Sequence, residues 1–104
     1  MKIKVHMLAF EKEPNTIRMV EIPDEEVKDN IWERLEQVFY YGQNDFAIGP
    51  EKNTTCSVSM ADVVEMDGHY YICAAAGFHE ITPEEFEEFK QVERIDRNFH
   101  PLVR

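Results

Sequence analysis

The sequence predicts an α+β fold: an antiparallel sheet of four to five strands built from two hairpins, with two helices packed on one side of it, in the order β-β-α-β-β-(β)-α. Three observations point there. Short apolar segments come in adjacent pairs separated by turn residues, as antiparallel neighbours do. Two longer segments carry apolar residues at helical spacing. At 104 residues, with 43% hydrophobic and 12% aromatic side chains and only four glycines, the chain has the size and composition of one domain, 1–104, around a single core.

Lys2 to Phe10 alternates as a strand, with Ile3, Val5, Met7 and Ala9 on one face and Lys4, His6 and Leu8 on the other. Glu13-Pro14-Asn15 reads as a turn, and Thr16 to Ile22 as the return strand, with Ile17, Met19 and Glu21 opposite Arg18, Val20 and Ile22. A helix is expected from Pro23-Asp24, with Asp24 as N-cap and Glu25 and Glu26 in the first turn, where the helix dipole favours anions. Val27, Ile31, Leu35, Val38 and Phe39 form its core face, and Gly42 follows its end. Gln43 to Thr55, with Gly49-Pro50 and Lys52-Asn53, reads as a long loop.

Val63, Val64 and Met66 mark a short strand, Asp67-Gly68 a hairpin turn and His69 to Ala75 its partner strand. Gly77 interrupts it, and Phe78 to Ile81 either extends it or forms a fifth strand. Thr82-Pro83-Glu84-Glu85 opens the second helix: Thr82 caps, Pro83 sits at the first helical position and Glu85 completes a capping box. Phe86 and Phe89 are its core residues. Val92 and Ile95 recur every three residues, so they drift around the axis, and 97–104 reads as a C-terminal tail.

Charge is the outlying property. Eleven Lys and Arg stand against 21 Asp and Glu, a formal net charge of −10. Such a surface repels nucleic acid and anionic membranes and attracts basic partners. No apolar run approaches the ~20 residues of a membrane span. The N-terminal segment suits a strand better than a signal peptide, so a cytoplasmic protein with reduced Cys56 and Cys73 is expected.

Catalytic patterns are absent from the sequence. His6, His69, His79, His100, Cys56 and Cys73 show no metal-ligand spacing, and neither cysteine sits in a nucleophile signature. No enzyme, metal or cofactor is expected. Surface chemistry is more informative. On a helix starting at Asp24, Glu25, Asp29, Glu33 and Glu36 would form one stripe with Cβ atoms about 5–6 Å apart. Such a row of carboxylates has the general spacing of phosphates. Trp32, Tyr40, Tyr41 and Asp45 flank it, and aromatic side chains are preferred interface anchors.

Ser57-Val58-Ser59, Asp62-Val63-Val64, Tyr70-Tyr71 and Gly77-Phe78-His79-Glu80-Ile81, in that order, resemble the motif of the YodL-like family. These are small domains of bacterial mobile elements and phages, also found as modules of large mobile-element proteins. The resemblance covers residues 57–81, about a quarter of the chain, and implies a mobile-element or phage origin. It carries no catalytic residue. The same residues also have architectural readings: Ser57 or Ser59 caps the turn before Asp62, and Gly77 kinks the strand so that Phe78 and Ile81 reach the core.

Charge and resemblance together lead to one expectation. The chain is a non-enzymatic acidic binding protein that inhibits a basic nucleic-acid-handling host protein of the CRISPR-effector or restriction-enzyme type, without touching nucleic acid or membrane itself. The alternative is an accessory module of a mobile-element machine, self-associating as a homodimer.

Overall fold

A computed structural model describes residues 1–9, 17–43 and 57–104. Five strands form one sheet in the spatial order β2-β1-β3-β4-β5, every neighbouring pair antiparallel. They are β1 (Lys2–His6), β2 (Ile17–Glu21), β3 (Val63–Met66), β4 (His69–Ala74) and β5 (Gly77–Ile81). Helix α1 (Ile31–Tyr41) lies between β2 and β3 in sequence; α2 (Pro83–Gln91) and the single turn α3 (Arg94–Arg97) follow β5. The chain is therefore α+β, and Phe78 to Ile81 belongs to a fifth strand.

The sequence predicts both long helices on one side of the sheet; instead they cover opposite faces. On one face Ile3, Val5, Val20, Val64 and Tyr71 pack with Leu35 and Val38 of α1. On the other Val63, Ile72 and Ile81 pack with Phe86 and Phe89 of α2 and with Val103. The physical cause lies in the middle strands. Val63-Val64 and Ile72-Cys73-Ala74 are buried without a break, and a strand with two apolar faces needs cover on both. Ala9 joins the α2 side rather than the Ile3 face, because β1 ends at His6 and the chain turns there, the Leu8 amide donating to the His6 carbonyl at 3.0 Å.

Turn chemistry sets the hairpins. Asp67 and Gly68 both have positive φ, 52° and 80°, as a type I′ turn requires. Ala61 has φ 82° in a bulge: its amide donates to the Cys73 carbonyl, and the Cys73 amide donates to the Asp62 carbonyl, so two residues oppose one. The Ser59 hydroxyl does not cap this turn; it donates to the Ser57 carbonyl at 3.0 Å. The buried Asp62 caps the turn, its carboxylate accepting the Ala9 amide at 2.9 Å and the Ser59 amide at 2.8 Å. At Gly77 the chain does not kink; it reverses through Ala75-Ala76 into β5. Phe78 and Ile81 consequently point to opposite faces, Ile81 into the α2 core and Phe78 beside the α1 core.

The first helix starts later than Asp24. Asp24–Glu26 is one 3-10 turn, Val27 is extended with ψ 125°, and α1 begins at Ile31. Asn30 is the N-cap, its side chain accepting the amides of Trp32 and Glu33. The leader is tied back onto the helix: Arg34 Nε donates to the Lys28 carbonyl, and the Gln37 amide group bridges the Lys28 amide and the Glu26 carbonyl. At the other end Gly42 closes the helix without positive φ. A β-carbon there would lie 2.3 Å from Val58 Cγ2, so glycine serves close packing. The Gly42 carbonyl accepts from the buried Arg18 guanidinium at 2.6 Å and from the Val58 amide at 3.0 Å, a cation placed at a helix C-terminus.

Helix α2 opens on the expected capping box of Thr82 and Glu85. Residues 97–104 are not a tail. Arg97 is 4% exposed and donates to the carbonyls of Leu8 at 2.7 Å, Lys90 at 3.1 Å and Val92 at 3.1 Å. The Ala75 amide bonds the carbonyl of the buried Val103 at 2.7 Å. A charged side chain satisfying three carbonyls docks a segment whose apolar pattern is too sparse to announce itself.

Candidate functional site

The position of the core line on α1 decides what the helix shows to solvent. Ile31, Leu35 and Val38 face the sheet. Arg34, Gln37 and Tyr41 form the flank that holds the 24–29 leader. Trp32, Glu36 and Phe39 fall on the opposite flank, and Glu33 and Tyr40 lie outward from it. Phe39, expected in the core, is 41% exposed; Trp32 is 49%, Tyr40 58% and the nearby Met60 42% exposed. Two of these rings are braced: Trp32 meets Tyr71 edge-on at 5.8 Å, and Tyr40 meets Tyr41 edge-on at 5.0 Å.

The continuous helical stripe of carboxylates does not form. Glu33 and Glu36 are on α1, while Glu25 is in the 3-10 turn and Asp29 in the link to Asn30. The late start at Asn30 removes the helical register the stripe needs. All four remain exposed, and none forms an ion pair with a described residue. Tyr41 is half-buried, its hydroxyl donating to the Glu26 carboxylate; that bond, with burial and the neighbouring carboxylates, pushes its pKa up to about 12. It holds the leader in place and is not an open anchor. Asp45 and Cys56 lie outside the described residues, as do the expected turn at Glu13-Pro14-Asn15 and most of the loop after Gln43.

Beside the exposed flank of α1 the sheet is only partly covered. Glu36 and Phe39 from the helix, Met60, and Cys73 and Phe78 from β4 and β5 line an open apolar groove of about 360 Å³. Glu80 lies on the same face of β5 as Phe78, bonded to His69 at 2.8 Å. The phenol of Tyr71 beneath is pushed to higher pKa by burial and then by Glu80 and Asp67, which marks the negative potential on this side. Among the described residues no lysine or arginine lines the groove. Phe39, Met60 and Phe78 are the residues the sequence reading missed. Spacing was the available signal: at 100° per residue Phe39 stands roughly 80° around the axis from Ile31, at the margin of the Ile31, Leu35 and Val38 face.

His6, His100 and Cys73 have structural partners, while His79 stands exposed on β5. His6 bonds Glu65 at 2.9 Å and packs on Phe86 at 4.7 Å; His100 accepts the Leu102 amide and stands edge-on to Phe89. Cys73 is buried, and desolvation with the Asp62 charge pushes its pKa up to about 11, so it is a neutral thiol at physiological pH. Among the described residues no three or more His, Cys, Asp or Glu side chains gather into a group able to hold a metal ion. No helix of the described residues is long and apolar enough to cross a membrane.

Comparison with protein-family models, with curated proteins and with solved structures finds no match to this chain. The likeness of residues 57–81 to the YodL-like motif rests on the motif residues alone.

Proposed function

We propose that this chain is an acidic protein-binding module whose partner is a basic, nucleic-acid-handling protein of the host of a phage or mobile element. The observation that carries the reading is the outer flank of α1. Trp32, Phe39 and Tyr40 stand exposed there with Glu33 and Glu36 among them, on a chain of net charge −10. Arg34, the one cation of that helix, is turned away to the leader. Aromatic anchors give contact area at low entropic cost, and unpaired carboxylates give long-range attraction to a cationic surface. A groove that holds nucleic-acid phosphates is such a surface, and occupying it would inhibit its owner. Glu25 and Asp29 add charge beside the helix start rather than along a stripe.

The test is capture from host lysate by the wild type and by a variant with Glu25, Asp29, Glu33 and Glu36 changed to Lys, each washed at low and high salt. Captured proteins are identified by mass spectrometry, then purified and titrated. A basic nucleic-acid enzyme held by the wild type, lost by the variant and weakened by salt is the expected result. Equal binding by both forms at both salt concentrations would sink the proposal.

A further inference from the structure

We infer that β5 accepts a sixth strand: an extended basic segment of the partner pairs with its open edge and sets an apolar side chain into the groove at Phe39, Met60 and Phe78. This deepens the function proposed above and rests on it. The edge follows from the ladder. Cys73 spends its backbone amide on Asp62, toward β3. Alternation along an antiparallel strand then turns Ala74, Ile72 and Tyr70 toward β5, where they face Gly77, His79 and Ile81. Phe78 and Glu80 are left with N–H and C=O groups pointing away from the sheet, and no described residue bonds them.

Edge strands are usually blunted by lysine, proline or a bulge. β5 reads Gly-Phe-His-Glu-Ile and has none of these. A strand added about 4.8 Å beyond β5 would place alternate side chains on the Phe78 face, next to the open groove, and the others on the opposite face. Charge selects the occupant. Among the described residues the groove wall holds Glu36 and no cation, and Glu80 lies on the Phe78 face of β5, on a chain of net charge −10. A second copy of this chain would bring another −10 and its own Glu80 to the same edge. An alternation of apolar residues with Lys or Arg satisfies edge, groove and field together.

The probe is a short synthetic peptide alternating leucine and lysine, compared at about 0.3 M ionic strength with a scrambled peptide of equal composition, so that diffuse charge attraction is screened. Amide exchange by NMR on the wild-type protein reads the site directly. The alternating peptide is expected to slow exchange at Phe78 and Glu80 and to bind at least about tenfold tighter than the scrambled one. N-methylation of one alternate set of peptide amides should abolish that difference, and methylation of the other set should leave it. Glu80→Pro removes one outward N–H while the ladder to β4 keeps its bonds, and should cost about tenfold. If the peptide binds with Phe78 and Glu80 unprotected and binding falls only on Trp32→Ala, the β5 inference is wrong and the α1 reading stands. Should no basic peptide bind, both fall. Protection at β5 that appears without peptide and grows with protein concentration would assign the edge to a second copy and overturn the inference.

Discussion

Replacing Arg97 with alanine should remove about 3–5 kcal/mol of stability, far more than a residue in a loose terminal segment could cost. The figure follows from its contacts. The guanidinium donates to three carbonyls, of Leu8, Lys90 and Val92, at 2.7–3.1 Å. A hydrogen bond to a charged group contributes roughly 1.5–3 kcal/mol net. The bond to Leu8 is buried, so its loss strands a carbonyl away from water and falls at the upper end. The other two carbonyls are partly accessible and regain water when the side chain is cut back, so together they add only about 1–2 kcal/mol. A domain of this length has roughly 5–15 kcal/mol in all. Urea unfolding of wild type, Arg97→Ala and Arg97→Lys measures this, with an unchanged dependence on denaturant expected. Lysine keeps a charge but not the fork, and should fall between the two. A loss below about 1 kcal/mol for Arg97→Ala would refute the claim that 97–104 is built into the fold.

Gly42→Ala should destabilise by about 1–3 kcal/mol in the same unfolding assay, although alanine is the better helix former, because its methyl meets Val58 at 2.3 Å; a neutral result would show that the 57–60 segment gives way freely. Asp62→Ala leaves the Ala9 and Ser59 amides without their acceptor and should cost about 2–4 kcal/mol, with faster exchange at both amides; unchanged exchange would remove Asp62 as the organiser of this turn. Tyr41 should ionise near 12 rather than at the ordinary 10.0. Since the fold raises this value, the contact with Glu26 contributes fully below pH 10.0 and is lost as pH rises toward 12. Phenolate absorbance checks this: Glu26→Gln should bring the titration back down, and no difference between the two proteins would count against the bond.

Legibility in the sequence followed the range of the forces involved. Asp67-Gly68 and Thr82-x-x-Glu85 are local chemistry, in which one turn conformation or one reciprocal pair of hydrogen bonds is fixed within four residues; both were placed correctly. The alternation in Lys2–His6 and Ile17–Glu21 was equally readable, but not which side of β2 is buried. Ile17 and Met19 are exposed while Arg18 lies inside, because Arg18 closes the end of a helix more than twenty residues later in the chain. The first helix was misplaced where two local signals competed. Asp24 and Asn30 both suit an N-cap; Asn30 won because Arg34 and Gln37, residues of the helix itself, hold the intervening segment in an extended path. Of the candidate site, the exposure of Trp32, Tyr40 and the acidic residues was legible; their arrangement was not, since it depends on that register.

By itself the amino-acid sequence determined the sheet-forming segments, the Asp67-Gly68 turn, the second helix with its cap and the strong negative charge. Each of these depends on residues close in the chain or on composition alone. Only the tertiary structure decided that the helices cover opposite faces, that Arg97 docks the C-terminal segment onto Leu8, and that Phe39, Met60 and Phe78 surround a groove beside an open strand. Those features join residues up to 89 positions apart. Their free energy comes from burying surfaces and satisfying carbonyls that meet only after the sheet has formed, and no local pattern encodes which surface will meet which.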